Sequence, residues 1–335
     1  MKNIGVMLLL MALSGAVMGE DLRNIRTGFE IPSEGYADQP YVVITKDGNW
    51  LCTLTTGTGK EGEPGQHVVA TISADRGRTW SPLIDIEPAD GPEASWVAPF
   101  VAPYGRVYAF YSYNGDRLPP RADMLGWYVY KYSDDHGRTW SSERHRLPMR
   151  VTAADRGNDW QGEVQIFWGI HRPIVSGNNV YFSFTKLGKY MLELGEGWLF
   201  RSENLLTERD PAKINWELLP EGDHGIRSPE LGSIQEEHNL SALEGDGLFC
   251  MYRTTQGFPA SSYSRDGGRN WSVPEAALYS PGGRAFKNPR ACPMVWRTQN
   301  GRYLFWFHHH GGTDFTQRNP VWISGGVEKD GYIHW

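Results

Sequence analysis

The chain has 335 residues, a formal net charge of −6 and 21% charged residues. This acidic balance argues against nucleic acid or an anionic membrane surface as a partner, because both are polyanions. Aromatic residues make up 13% of the chain, including 14 tryptophans. Such a content is typical of a sheet-rich protein whose rings can stack on sugars.

The N-terminus has the pattern of an export signal. Met1, Lys2 and Asn3 precede an apolar run over residues 4–17. Small residues occur within this run and directly after it. This pattern predicts a secretory signal peptide over residues 1–19 and a single exported domain over residues 20–335, secreted or periplasmic. No other stretch is long and apolar enough to cross a bilayer, so we expect no membrane insertion.

Short runs of β-branched and aromatic residues follow in regular order, separated by turn residues. In chain order these predicted strands cover residues 41–45, 50–54, 68–72, 100–101, 107–111, 127–131, 172–175, 180–184, 239–240, 248–252, 291–292 and 303–307. A long helical period is absent, so the predicted class is all-β. The three cysteines, Cys52, Cys250 and Cys292, fall in these apolar runs and are predicted to be buried thiols.

One eight-residue motif occurs three times, at residues 73–80, 133–140 and 264–271. Its shared pattern is Ser-x-Asp-x-Gly-x-Thr/Asn-Trp. The aspartate is expected to cap backbone N–H groups of its own turn, the glycine to supply a positive φ, and the tryptophan to pack between layers. Each copy follows a predicted third strand, so it should join the third strand of a unit to the fourth.

The spacing of the copies indicates a longer repeat. The motif aspartates Asp75 and Asp135 are 60 residues apart, and Asp266 follows after 131 more, which leaves room for one unmarked unit. A degenerate copy is predicted at residues 200–204 with Trp216, and a fifth at residues 330–335. Five units of similar length predict a repeat architecture.

These motifs are Asp-boxes, and the chain resembles the bacterial sialidase superfamily of six-bladed β-propellers. The resemblance implies a sialidase-type propeller of which five blades are visible. Because the chain stops at Trp335, where the fifth motif would end, we expect the last blade to be truncated.

The face on which we expect a functional site follows from strand parity alone, since the start of strand one and the end of strand two share one face of a blade, opposite the boxes. Basic, acidic and imidazole groups collect at these positions: His171, Arg172, Glu236, Glu237, His238, Arg253, Arg290 and His308. Guanidinium forks bind carboxylates bidentately, so Arg172, Arg253 and Arg290 predict a substrate with an acidic sugar. The histidines could act as acid/base groups. Their spacing matches no metal motif, and we expect neither metal nor cofactor.

The resemblance assigns roles to some of these residues. Sialidases grip a carboxylate with three arginines, use a tyrosine nucleophile activated by a glutamate, and use an aspartate as acid/base. The segment 236–253 resembles the part that carries the glutamate and the second arginine, and Asn288-Pro289-Arg290 resembles the third. Glu237 is then the partner of the nucleophile, with Glu236 as the alternative.

Two departures from the family pattern stand out. Asp38-Gln39-Pro40 replaces the family's Arg-Ile-Pro, so an acid stands in place of the first arginine. The loop of the acid/base aspartate offers Glu61, Glu63 and His67 instead. The tyrosine nucleophile belongs to the last blade.

The sequence therefore predicts an exo-acting, sialidase-like glycoside hydrolase that releases a terminal acidic sugar from a glycan or polysaccharide, as a monomer. Arg253 and Arg290 would hold the carboxylate with help from Arg172, and Asp38 or His67 would supply acid/base function. Two alternatives remain open: a polysaccharide lyase acting on uronates through a histidine, and a non-catalytic glycan-binding propeller.

Overall fold

The computed structural model describes residues 24–119, 121–189 and 192–335. The predicted signal peptide lies outside these residues. The described residues belong to the all-β class, as predicted, with one α-helix, α1 (Ala153–Arg156), and short 3₁₀ turns at Ile25–Thr27, Ala122–Met124, Pro211–Lys213 and Pro229–Leu231. Within these ranges we find no helix with the length and apolarity that a membrane crossing requires.

The strands form five antiparallel sheets of at least four strands each. Sheet one contains β1 (Tyr36–Ile44), β2 (Trp50–Gly57), β3 (His67–Ser73) and β4 (Ile84–Asp85). Sheet two contains β5 (Ala94–Val101), β6 (Val107–Tyr113), β7 (Trp127–Ser133) and β8 (His145–Arg146). Sheet three contains β9 (Phe167–Trp168), β10 (Ile174–Ser176), β11 (Asn179–Lys189), β12 (Glu193–Ser202) and β13 (Glu217–Leu219). Sheet four contains β14 (Gln235–Ala242), β15 (Leu248–Thr254), β16 (Ala260–Ser264) and β17 (Glu275–Ala276). Sheet five contains β18 (Val295–Arg297), β19 (Tyr303–Phe307), β20 (Trp322–Lys329) and β21 (Tyr332–His334).

Each sheet packs face to face on the next one along the chain. Leu51 of sheet one and Val107 of sheet two share one apolar cluster. The rings of Phe110 and Phe182 lie 5.5 Å apart between sheets two and three. Further clusters join sheet three to sheet four and sheet four to sheet five. The arrangement is propeller-like, because every sheet adds its own layer of core.

The Asp-boxes join the third and fourth strands of their sheets, as predicted. In the first box, Oδ1 of Asp75 accepts hydrogen bonds from the backbone N–H groups of Thr79 at 2.8 Å and Arg78 at 3.1 Å. Gly77 has a φ of +86° and donates its N–H to Oγ of Ser73 at 2.7 Å. The carboxylate therefore closes the turn, and only a residue that tolerates positive φ fits at the glycine.

The degenerate copy in sheet three keeps the same logic with an amide. Oδ1 of Asn204 accepts the backbone N–H of Asn215 at 2.9 Å, and Oγ of Ser202 accepts that of Leu205 at 3.1 Å. Trp216 packs on Phe110, with ring centroids 5.6 Å apart. Oδ1 of Asn204 thus accepts a backbone hydrogen bond, as the aspartate carboxylate does in the complete boxes.

The fifth predicted copy is wrong as an Asp-box. Lys329 pairs with Tyr332, so Asp330 and Gly331 form a two-residue hairpin turn with φ values of +53° and +76°. Both residues adopt the left-handed conformation that such short turns require. Trp335 nevertheless packs in the core, with its ring 5.4 Å from that of Phe305.

Sheet five differs from the others in what covers it. All residues of β6 and β15, and all but the first of β2, are buried. In β19, burial alternates, and Leu304 and Trp306 are 40% and 41% exposed. Ile323 on the paired strand is 64% exposed. Sheet five therefore presents an apolar face to solvent.

Candidate active site

Three first strands carry a β-bulge at the same point. The pairing register shifts between Asp38 and Tyr41 in β1, between Ser95 and Ala98 in β5, and between Glu236 and Asn239 in β14. At each bulge one residue takes a positive φ: Gln39 at +48°, Trp96 at +63° and Glu237 at +57°. Such values are uncommon outside glycine, and a bulge redirects a side chain beside a site.

The three bulge residues line one pocket with a volume of about 750 Å³. It also receives side chains from the ends of second strands and from the loops that follow them. Its charged lining consists of Asp38, Glu61, Arg121, Glu237, Arg253, Arg290, His308 and Arg318. We call this the central pocket. The structure brings Asp38, Glu237, Arg253, Arg290 and His308 together in this pocket.

Glu236 joins two of the arginines. Its Oε2 lies 2.6 Å from Nε and 2.5 Å from Nη2 of Arg253, and its Oε1 lies 2.6 Å from Nη2 of Arg290. Glu236 is fully buried and does not line the central pocket. The structure therefore makes it a positioning residue that fixes two guanidinium groups, instead of the substrate-binding residue that the sequence predicts.

Glu237 is only half paired. Its Oε1 accepts from Nη1 of Arg253 at 2.7 Å, whereas its buried Oε2 has no hydrogen-bond partner among the described residues. Burial raises the pKa of Glu237, and the nearby Arg253 opposes this shift. Oε2 of Glu237 is therefore able to accept a proton, or a hydrogen bond from a hydroxyl group in the pocket.

Cys292 lies beside Glu237 in the pocket lining, and its thiol is free. Burial raises the pKa of the Cys292 thiol well above its usual range, and the Glu237 carboxylate adds to the shift. Cys52 and Cys250 are buried free thiols, as predicted.

Arg318 is an arginine of the central pocket that the sequence does not identify. It lies in the loop between β19 and β20, where no strand alternation in the sequence predicts the direction of a side chain. Its Nη2 donates to the carbonyl of Arg290 at 3.4 Å. His308 opens the same loop, and its Nδ1 lies 3.2 Å from the carbonyl oxygen of Pro320. Burial lowers the pKa of His308.

A second charged group comes from sheets one and two. Asp38 accepts from the N–H of Gln39 at 2.8 Å and from the hydroxyl of Tyr36 at 3.2 Å. Burial raises the pKa of Asp38, although these two hydrogen bonds oppose the shift. Glu61 lies 3.0 Å from Nη2 of Arg121, whose guanidinium also pairs with Asp123 at 2.6 Å.

Two tryptophans form an aromatic wall that the sequence does not predict. The rings of Trp96 and Trp168 meet edge to face at 5.6 Å, and the guanidinium of Arg253 lies 5.2 Å from the centre of the Trp168 ring. Trp96 is fixed by a hydrogen bond from its Nε1 to the carbonyl of Asp123 at 2.9 Å. Aromatic rings of this kind offer apolar faces to the C–H surface of a sugar.

Besides Glu236, four predicted site residues lie outside the central pocket. His171 and Arg172 line a separate cavity of about 400 Å³, which also contains Leu240 and Val295. Nε2 of His171 is bound to the carbonyl of Leu240 at 2.9 Å, and burial lowers the pKa of His171 to about 3. A histidine held neutral in this way serves packing and is a poor acid.

His238 and His67 are also structural in their surroundings. His238 is bonded through Nδ1 to Thr185 at 2.9 Å and through Nε2 to the carbonyl of Ile226 at 3.1 Å, and burial lowers its pKa to about 3. His67 is buried in β3, with its Nε2 3.7 Å from carboxylates of Glu34 and Asp85. Neither side chain reaches the central pocket.

The described residues offer no obvious set of metal ligands. Within the described ranges, no cluster of three or more His, Cys, Asp or Glu side chains is arranged to hold a metal ion. The central pocket instead combines guanidinium groups, carboxylates and aromatic rings, which suit a polar ring carrying a negative charge.

Comparisons with known proteins agree with the repeat and with the fold. The family described as BNR/Asp-box repeat matches residues 131–142, which contain the whole of the second box. The Hadza microbial sialidase Hz136 aligns with a TM-score of 0.61 and 17% identity, over 89% of this chain and 57% of the sialidase. The NanB sialidase from Streptococcus pneumoniae aligns with a TM-score of 0.58 and 11% identity, over 90% and 61%. A Trypanosoma rangeli sialidase mutant displaying trans-sialidase activity aligns with a TM-score of 0.61 and 15% identity, over 87% and 46%.

This chain spans between 46% and 61% of the length of these three sialidases. At 11–17% identity the likeness is one of fold. A comparison with curated protein sequences found no match.

Proposed function

We propose that this chain, which carries an Asp-box repeat and is similar in fold to sialidases, is a glycoside hydrolase that removes a terminal acidic sugar from a glycan. The segment 1–19 would direct its export. The substrate class follows from the central pocket, and the fold supplies the scaffold on which such a pocket is built.

The observation that carries the proposal is the cluster of guanidinium groups on the side of the central pocket formed by sheets four and five. There Arg253, Arg290 and Arg318 bring three guanidinium groups together, and Glu236 and Glu237 neutralise two of them. One positive charge is left over on this side of the pocket, which Trp96 and Trp168 also line. A carboxylate on the substrate would complete the balance, and guanidinium groups bind carboxylates in a defined orientation.

Glu237 is proposed to activate the nucleophile. Its unpaired Oε2 can accept a proton from a hydroxyl group, and the resemblance to sialidases implies that this hydroxyl belongs to a tyrosine of the sixth blade. The neighbouring Cys292 is a poor alternative, because its raised pKa keeps it as a thiol, whereas the thiolate is the reactive form.

Asp38 is proposed as the general acid. Its raised pKa favours the protonated form that can donate to a leaving oxygen. Glu61 also lines the pocket, but its carboxylate is already paired with Nη2 of Arg121 at 3.0 Å. The other predicted acid/base residue, His67, lies outside the pocket and has no part in this scheme.

The uncovered face of sheet five supports a six-bladed propeller. Leu304, Trp306 and Ile323 expose apolar side chains where the corresponding strands of other sheets are buried. Ile44 at the edge of sheet one is 64% exposed. We propose that a sixth sheet, supplied by residues beyond those of this chain, lies between sheets five and one and carries the nucleophile.

A uronate lyase is less well supported. That reaction needs a histidine able to take a proton beside the bound carboxylate. His171 and His238 are buried elsewhere with lowered pKa values, and only His308 of the predicted histidines lines the central pocket.

The proposal is tested by assaying the purified chain, and a version extended beyond Trp335, on sialyllactose and on a uronate polysaccharide. Free sialic acid and unsaturated uronate are measured together. Release of sialic acid that is abolished by Glu237→Gln supports the hydrolase. Unsaturated product would replace it by a lyase, and glycan binding without either product by a binding protein.

A further inference from the structure

A groove of about 680 Å³ lies beside the third Asp-box, between the outer strands of sheets four and five. Three aromatic side chains line it: Tyr263, Trp271 and Tyr332. Tyr332 is 42% exposed, and its ring meets that of Tyr263 edge to face at 5.0 Å. We call this the box-side groove.

Arg265 is fixed in this groove by stacking. Its guanidinium carbon lies 5.2 Å from the ring centre of Tyr263 and 4.9 Å from that of Tyr332. The guanidinium also lies against the backbone of Gly331, where a Cβ atom would come within 2.9 Å of Nη1. Within the described parts of the chain, Arg265 makes no ion pair with a carboxylate, although its side chain is held in place.

The Asp-box does not require this arginine. The same position is Ala74 in the first box and Asp134 in the second, where Asp134 pairs with Arg106 at 2.8 Å. The turn of the third box is closed by other groups, since Asp266 accepts from the N–H of Asn270 at 2.9 Å and from Ser264. The guanidinium of Arg265 is therefore held in place by the two tyrosine rings, but among the described residues it takes part in neither the box turn nor an ion pair. It is available to a ligand.

The other two charged residues that line the groove, Asp266 and Glu275, are carboxylates, so Arg265 is the cation that a ligand would contact there. The carboxylate of Asp266 is occupied by its own box, through Ser264 and both nitrogens of Asn270. Glu275 is exposed in the lining and can accept hydrogen bonds from hydroxyl groups. Rings for stacking, a carboxylate acceptor and one free cation are together the groups that recognise an acidic sugar.

The groove and the central pocket lie at opposite ends of sheet four. Ser264 of the box pairs with Leu248, whereas Glu236 pairs with Arg253. Leu248 and Arg253 are five positions apart, which corresponds to roughly 17 Å of strand. We propose that the box-side groove is a second binding site for a carboxylate-bearing glycan, separate from the central pocket and independent of the reaction there.

The test compares the affinity of the whole chain for sialyllactose, for a glucuronate disaccharide and for neutral lactose by calorimetry. Arg290→Ala is used as the background, because it weakens the central pocket and leaves the groove intact. Adding Arg265→Ala should lower the affinity for at least one acidic sugar about tenfold, since a guanidinium–carboxylate fork is lost. Arg265→Lys should retain little of it, because the planar fork that stacks on the tyrosines is absent.

The matched control is Arg78→Ala, which removes an exposed arginine of the first box and the same unit of charge. It should leave the affinities unchanged. The proposal is overturned if Arg265→Ala binds both acidic sugars as tightly as its parent, if Arg78→Ala loses as much, or if lactose shows the same loss. If Arg290→Ala folds poorly, the comparison is made in the otherwise unmodified chain, where Arg265→Ala should remove one of two binding events.

Discussion

Nη1 of Arg253 lies 2.7 Å from Oε1 of Glu237, and this contact occupies only one of the two oxygens of that carboxylate. Arg253 is itself held by Glu236, so the position of Glu237 is set through a buried network that starts outside the pocket. The network separates two carboxylates that are adjacent in sequence: Glu236 holds the two arginines, and Glu237 lines the central pocket.

Glu237→Gln should abolish hydrolysis while the protein stays folded. The amide keeps the size of the side chain but cannot accept the proton of a nucleophile, and loss of a general base lowers turnover by about 10²-fold to 10⁴-fold. The measurement is kcat on an aryl sialoside, in whichever form of the chain is active. Glu203→Gln, at an exposed glutamate of sheet three, is the control. Unchanged turnover in Glu237→Gln would remove this residue from the mechanism.

Glu236→Gln should destabilise the fold. Glu236 is fully buried, and both its oxygens bind guanidinium groups of Arg253 and Arg290. Breaking a buried pair from one side leaves uncompensated charge and costs about 3–5 kcal/mol. Urea unfolding measures the loss, and Glu203→Gln should stay within about 0.5 kcal/mol of the parent. An equally small effect at Glu236 would mean that the two arginines do not depend on it.

Asp38→Asn should remove the basic limb of the pH profile. As a proton donor with a raised pKa, Asp38 works while it is protonated, so kcat should fall as the pH rises through that pKa. The asparagine variant should retain activity on a substrate whose aryl leaving group needs no proton, and lose it on sialyllactose. Glu61→Gln is the companion variant. If it loses the basic limb and Asp38→Asn keeps it, Glu61 is the acid.

The sequence predicts the local features of this fold well and the long-range features of its site poorly. An Asp-box is closed by residues four positions apart, so its pattern of Ser, Asp and Gly is visible in the chain. A β-bulge is not visible in this way. The extra residue at Glu237 reverses the strand alternation that follows it, so His238 turns away from the pocket and packs on Tyr252, with ring centroids 4.2 Å apart.

Loops escape prediction for a related reason. Arg318 reaches the central pocket from a connection between β19 and β20 that has no strand period to place it. Trp96 faces the pocket because of its positive φ, which propensity does not indicate for tryptophan. Arg253, in contrast, is predictable, because it ends a second strand and pairs directly with Glu236.

Asp75→Ala should destabilise the chain in a pH-dependent way. The backbone N–H of Thr79, together with its hydroxyl and that of Ser73, lowers the pKa of Asp75 from 3.8 to about 2. A lowered pKa means that the ionised carboxylate stabilises the folded state above the unfolded pKa, and that this contribution is lost as the pH falls towards 2. The difference in Tm between variant and parent should therefore be full at pH 7 and shrink below pH 4.

Asp75→Asn is the informative companion of that variant. Asn204 shows that an amide oxygen can accept a backbone N–H at this position of a box. Asn should restore part of the lost Tm, with no change between pH 4 and pH 2, because it does not titrate. A pH-independent difference for Asp75→Ala would show that the charge of the box is irrelevant to stability.

Leu304→Thr combined with Ile323→Thr should leave the stability of this chain nearly unchanged. Both side chains lie on the uncovered face of sheet five, at 40% and 64% exposure, and exposed substitutions usually change stability by less than about 0.5 kcal/mol. Phe305→Ala is the contrast, since Phe305 is fully buried on the other face and its loss should cost about 3–5 kcal/mol. In a longer chain that supplies a sixth sheet, the double threonine variant should become destabilising, because the same face would then be core. The measurement is thermal unfolding of both lengths of the chain. If the double threonine variant of the longer chain is as stable as its parent, no sixth sheet packs on this face.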